Sequence, residues 1–191
     1  INGLGRNFLP KPVIGAIASL AVIGSFAISL SIFFTFDSAQ PVIITLFDWI
    51  NVGSLNIPFA FQIDQLSILM LLIITGIGSL IHIYSAGYMS HDAGFGKFFA
   101  YLSLFVFFML LLVLGSNYVI MFIGWEGVGL CSYLLIGFWY TNGAYADAAK
   151  KAFIINRIGD LGFLLGVFLI ISTFGSVSFA DIFPQAQGMV S

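Results

Sequence analysis

The chain has 191 residues, of which 60% are hydrophobic and only 7% charged, and its formal net charge is -2. Soluble domains carry roughly 25% charged residues, so this much apolar surface calls for lipid as its solvent. No basic patch is present, which excludes nucleic acid as a partner, and a single cysteine, Cys131, excludes an internal disulfide or a zinc site.

The first residues, INGLG, read as the tail of a helix in a longer protein, and the chain shows no basic head followed by an apolar run and a small-residue cleavage site. Residues 1–12, with Arg6, Lys11, Pro10 and Pro12, form a connector, and Pro12 is suited to open a helix. Residues 13–36 are free of charge and long enough to span a bilayer. Their Gly, Ala and Ser residues suit close helix packing. Residues 37–63 break the pattern with Asp37, Asp48, Pro41 and Pro58. VIITLFDWI and LNIPFAFQI are rich in β-branched and aromatic residues, with the turn signal NVGS between them. The pattern predicts a β-hairpin on the membrane surface, with Pro58 on an edge strand. An irregular loop is the competing reading.

Asp64 stands as an N-cap before the second span, residues 66–89. A polar link, SHDAGFGK, leads to the third span at residues 98–116, and the fourth covers residues 117–140 and ends in an interfacial FWY anchor. A second link, residues 141–151, precedes the fifth span at 152–174, and residues 175–191 form a polar tail. The predicted class is an all-α polytopic membrane protein: one membrane domain over residues 1–191, five transmembrane helices and an outer-face hairpin.

Five of the basic residues, Arg6, Lys11, Lys97, Lys150 and Lys151, fall in alternate connections. The opposite connections hold Asp37, Asp48, Asp64 and Asp181 with no Lys or Arg. By the positive-inside rule, residues 1–12 lie on the cytoplasmic or matrix side.

Ionised residues inside the spans carry the functional signal, because each costs ~2.5–3.5 kcal/mol at mid-membrane on insertion scales and such groups usually face a polar path. Glu126 lies ~14 Å deep in the fourth span at the ordinary helical rise. Gly124, Gly127 and Gly129 leave room beside it for a helix or water. It reads either as a proton-binding carboxylate or as half of a static ion pair. Arg157 and Asp160 are three apart on the fifth span, so they share a face and can pair with each other. With Glu126 on the preceding helix, they form a charged axis at one depth. Gly159, Gly162 and Gly166 allow close helix contact. His82, the histidine within a span, suits a proton relay or is an imidazole satisfied by a carbonyl or hydroxyl. Asp147 and Lys151 are spaced as a surface i, i+4 pair. Histidines and carboxylates are too scattered for a metal site, and neither a redox centre nor a covalent catalyst is visible.

GWEGVGLCSYLLIGFWY followed by NRIGD resembles the L-type, or chain 5, antiporter-like subunit of proton-pumping NADH:quinone oxidoreductase, respiratory complex I. FQIDQLSILM, HIYSAGYM and KFFAYLSLF are similar to the same family, in the same order. The resemblance implies that Glu126 is the membrane carboxylate that pairs with a lysine on a later broken helix. It implies that Arg157 and Asp160 tune that pair and that His82 lies near the charged centre. All four would serve proton translocation. NADH, FMN, iron–sulfur clusters and quinone would be bound by other subunits, so this chain would carry no cofactor. Partners would be the other complex I membrane subunits, especially the neighbouring antiporter-like subunit. The location would be a bacterial plasma membrane or the mitochondrial inner membrane. Family members are several times longer. A subunit of a multi-subunit Na+/H+ antiporter, which shares the WE pair, and a non-transporting scaffold are the alternatives.

Overall fold

The computed structural model describes residues 8–37, 40–53 and 55–190. Among the described residues, five helices are long and apolar enough to cross a membrane: α1 (Lys11–Thr35), α2 (Gln65–Tyr88), α3 (Phe95–Leu114), α4 (Tyr118–Ile136) and α5 (Gly143–Phe174). Between α1 and α2 lie β1 (Val42–Val52) and β2 (Leu55–Ile63), and α6 (Phe179–Val190) follows α5. The hairpin predicted for residues 37–63 is therefore present. Gly53 takes its turn at φ 59°, a left-handed conformation that glycine adopts without a Cβ penalty.

Helix starts follow the chemistry of the orphan N–H groups. Pro12 lies in the first turn of α1, where its missing donor costs nothing. Asp64 caps α2 with a reciprocal box: its Oδ1 accepts from the Ser67 N–H at 2.7 Å, while Ser67 Oγ accepts from the Asp64 N–H at 2.8 Å. Burial pushes the Asp64 carboxyl up, but the Ser67 N–H, the Gln62 amide and the Ser67 hydroxyl outweigh it and hold the group below its ordinary value. Asn117 is fully buried at the start of α4 and works in two directions. Its Oδ1 accepts from the N–H groups of Val119 and Ile120, and its Nδ2 donates to the Pro58 carbonyl at 3.0 Å. The Ser116 N–H donates to the Ala60 carbonyl in addition, so the free edge of β2 is stitched to the α3–α4 corner.

Two boundaries differ from the sequence reading. The link before the fifth span is helical from Gly143, because Asn142 accepts from the Ala144 N–H and residues 144–151 are mostly Ala, Asp and Lys without a breaker. On this helix Asp147 pairs with Lys150 at 3.6 Å, not with Lys151, and the pair is exposed and adds little stability. The polar tail folds after Ser178 into α6, with Pro184 inside it.

α1 packs on α2, both pack on α3, α3 packs on α4, and α4 packs on α5. The α3–α4 contact is the tightest. A Cβ on Gly124 would lie 2.5 Å from the backbone N and Cα of Leu112, and one on Gly127 would strike the Phe108 ring. Backbone cannot yield cheaply, so Gly124→Ala is expected to destabilise the full-length subunit by about 1–3 kcal/mol, the ordinary cost of overpacking. Thermal unfolding in detergent measures it, and an unchanged midpoint would mean that α3 and α4 stand further apart.

The polar connections gather at two ends. At one, Lys11 Nζ donates to the Ser90 carbonyl at 3.0 Å, and Lys97 lies over the rings of Tyr140, Tyr101 and Phe138. The Trp139 indole N–H donates to Asp92 there at 2.9 Å. That bond, with the Gly94 N–H, holds the Asp92 carboxyl below its ordinary value. At the other end the hairpin meets the α3–α4 corner and the α5–α6 turn, where the Tyr118 N–H donates to the Val177 carbonyl. The lysines thus occupy one end, and Asp64, the cap of α2, and Asp181, in the first turn of α6, the other.

Candidate functional site

Glu126 sits midway along α4, and its carboxylate faces α5. The Arg157 guanidinium donates through Nη1 to Glu126 Oε2, closing an ion pair between the two helices. The same Nη1 lies 3.8 Å from Oδ2 of Asp160, one turn along α5. Asp160 is held from α4 as well, because the Trp125 indole N–H donates to its Oδ1 at 2.8 Å. Trp125 is stacked on Phe163, and the guanidinium lies 4.6 Å from the Phe153 ring centroid, so packing orients both donors.

Side-chain exposure is graded: 9% for Asp160, 23% for Glu126 and 44% for Arg157. The cluster therefore opens along the surface of α5, whose Ile154, Ile155, Ile158 and Leu161 are also exposed. Two carboxylates share one guanidinium, so the cluster carries one uncompensated negative charge when both are ionised.

His82 is placed elsewhere. It is fully buried in α2, with Nδ1 2.8 Å from the Gly78 carbonyl and its ring edge-on to Phe99 of α3 at 6.1 Å. Phe108, which covers Gly127, lies nine residues further along α3, about 14 Å at the helical rise. α3 thus stands between His82 and the carboxylate cluster, and His82 is nearer the lysine end. The resemblance implied a place near the charged centre; within this segment its contacts are with Gly78 and Phe99. Among the described residues no three of His, Cys, Asp and Glu lie close enough to hold a metal.

A model of the chain 5 N-terminus of NADH-ubiquinone oxidoreductase (complex I) matches residues 49–99. A model of the transmembrane region of NADH:quinone oxidoreductase/Mrp antiporter proteins matches residues 115–191. NADH-quinone oxidoreductase subunit L of Mycobacterium tuberculosis is 51% identical over 172 residues, 90% of this chain and 27% of its own length. The chain belongs to the subunit L/chain 5 family of NADH:quinone oxidoreductase. NADH-ubiquinone oxidoreductase chain 5 of Allomyces macrogynus is 47% identical over 169 residues, 87% of this chain and 26% of its own. This L-type chain therefore spans between a quarter and a third of the length of those relatives. In fold it is similar to a chain of the Mrp complex from a Dietzia species, with a TM-score of 0.74 at 23% identity over 90% of this chain and 20% of that one.

Of the four residues singled out from the L-type sequence, the structure brings Glu126, Arg157 and Asp160 together and leaves His82 apart. Arg157 engages the carboxylate of the neighbouring helix more closely than the one on its own. Trp125 was missed. Its only signal was adjacency to Glu126, since the residue it serves is 35 positions away. Gly124 and Gly127 make the room expected of them, and α3 fills it. By contrast, a Cβ on Gly159, Gly162 or Gly166 would meet nothing within 4 Å in this chain.

Proposed function

We propose that this L-type segment supplies the carboxylate side of a proton path in the membrane arm of NADH:quinone oxidoreductase. The observation that carries the reading is the three-residue cluster of Glu126, Arg157 and Asp160 between two membrane helices, with two anions for one cation. Such groups are costly in lipid, and their retention at mid-span points to ion movement. With Arg157 on Glu126, the carboxylate stays ionised. When the guanidinium moves the short distance to Asp160, Glu126 loses its counter-charge in a poorly hydrated site and takes up a proton. Return of the cation releases that proton onward. A lysine on a later helix, which the family resemblance implies, would compete for Glu126 in the same way.

Quinone reduction and electron transfer belong to other subunits in this reading, and those subunits hold NADH, FMN, the iron–sulfur clusters and quinone. The chain would be a proton-translocating part of the oxidoreductase with no redox centre of its own. It is a multi-pass membrane protein. Its partners are other membrane subunits, among which we place the neighbouring antiporter-like subunit against the charged cluster. The lysine-bearing end, with residues 8–12, faces the cytoplasm or matrix, in a bacterial plasma membrane or the mitochondrial inner membrane; the rest of the 1–12 connector lies outside the described residues. An Mrp complex chain shares the fold, which keeps an antiporter subunit as the second reading, but about half identity to subunit L weighs for the oxidoreductase.

Infrared difference spectra of the assembled oxidoreductase test this reading. NADH-driven turnover is expected to produce a protonated-carboxyl band that disappears in Glu126→Gln. A spectrum identical in the two enzymes would mean that Glu126 is a static partner of Arg157.

A further inference from the structure

A second polar site lies at the lysine-bearing end, away from the carboxylate cluster. A cavity of about 310 Å³ opens where the start of α3, the end of α4 and the start of α5 come together. Lys97, Tyr101, Tyr133, Tyr140 and Lys150 line it, and Leu134 forms part of its apolar wall. The two lysines come from different helices, 53 positions apart in sequence, and only the fold brings them to one cavity.

Neither lysine is neutralised well. The Lys97 ammonium stands 5.2 Å from the centroid of the Tyr140 ring, 5.7 Å from that of Tyr101 and 5.8 Å from that of Phe138. Ring faces hold and orient a cation but leave its net charge in place. Among the described residues no carboxylate pairs with Lys97. Lys150 has Asp147 at 3.6 Å, but the two side chains are 65% and 79% exposed, so the pair is weak. Four lysines, Lys11, Lys97, Lys150 and Lys151, stand at this end with two aspartates, Asp92 and Asp147. Asp92 already accepts from the Trp139 indole and the Gly94 N–H. The cavity therefore favours an anion, and the tyrosines bring hydroxyl donors suited to anionic oxygens.

Its surroundings say which anion. Lys97, Tyr101 and Leu104 are spaced four and three apart on α3, so they share a face, as do Leu130, Leu134 and Gly137 on α4. Leu104 and Leu130 lie deeper in their spans than the lysines, and both are exposed. Each wall of the cavity thus continues into exposed apolar surface toward the membrane interior. A cationic head with an apolar track below it matches a lipid, whereas a free phosphate uses the head alone. Ligand pockets start at roughly 300 Å³, so the cavity suits a headgroup with its acyl chains left outside.

We propose that the α3–α4–α5 cavity binds the phosphate of an anionic phospholipid, with Lys97 and Lys150 as its counter-charges. Basic pockets between helix ends on the cytoplasmic or matrix side are suited to such headgroups. The Tyr140, Tyr101 and Phe138 rings hold Lys97 in place before the lipid arrives, and the acyl chains lie along Leu104 and Leu130. The site stands independently of the role proposed for Glu126.

The test is a cryo-EM map of the assembled full-length oxidoreductase in nanodiscs of phosphatidylcholine with phosphatidylglycerol. Phosphate density within hydrogen-bond distance of Lys97 Nζ is expected, with tail density continuing past Leu104 and Leu130. Its occupancy should fall severalfold in nanodiscs of phosphatidylcholine alone with inorganic phosphate in the buffer. It should fall likewise in the Lys97→Gln/Lys150→Gln double variant, with subunit content unchanged. Should that variant not assemble, the two maps of the parent complex decide. An empty cavity in the parent, an isolated phosphate without tails, equal occupancy in the two lipid mixtures, or side chains of a later segment filling the space would each overturn the assignment.

Discussion

Glu126→Gln in the assembled oxidoreductase is expected to cut NADH-driven proton translocation severalfold while the complex still assembles. The amide has nearly the shape of the carboxylate and its oxygen still accepts from Arg157, so the α4–α5 contact that the pair closes is retained. What is lost is the anion. A guanidinium left beside a neutral amide still has Asp160 at 3.8 Å as a counter-charge. The penalty is accordingly well below the ~3–5 kcal/mol of stripping a partner from a fully buried pair. Two measurements separate chemistry from packing: subunit content of the purified complex, and proton uptake in proteoliposomes per NADH oxidised. Intact complex with impaired translocation supports the proposed role. Intact complex with parental translocation refutes it, whatever happens to the local geometry.

Periodicity and capping made most of the fold legible. The charge-free run before Phe36, the Asp64 cap and the alternation of lysine-bearing and lysine-free connections each follow from a local rule, and α1 to α4 lie where those rules put them within a few residues. The hairpin was legible for the same reason, since β-branched and aromatic runs around NVGS have few alternatives. Less legible was anything decided by distant residues. Nothing near Asn117 announces that its amide will reach the Pro58 carbonyl 59 positions away. The polarity of residues 141–151 reads as a connector, yet its Ala and Lys residues are strong helix formers and α5 begins at Gly143.

The site shows the same division. That Arg157 and Asp160 share a face follows from spacing alone, but the choice of Arg157 between two carboxylates depends on how α5 is rotated against α4. The family resemblance implies a place for His82 near the charged centre, but His82 stands on α2 and Glu126 on α4. The phenylalanines of α3 come between them, and only packing reveals that.

Asp160→Asn is the sharper test of how the cluster works. The substitution keeps an oxygen for the Trp125 indole N–H, which already donates at 2.8 Å, and it keeps the volume of a 94%-buried residue. A role confined to packing would therefore leave both assembly and turnover as they are. In the switching account Asp160 is the alternative resting place for Arg157. Without its charge the guanidinium stays on Glu126, the glutamate remains ionised, and the loading step slows. Coupled turnover is expected to fall severalfold, with stability unchanged or slightly raised, since the cluster loses its uncompensated negative charge. Asp160→Glu, which restores the charge with a longer reach, should recover part of the rate. Parental translocation in Asp160→Asn, with Glu126→Gln still impaired, would keep the glutamate as the proton carrier but remove Arg157 as its switch, leaving that task to a cation from outside this segment.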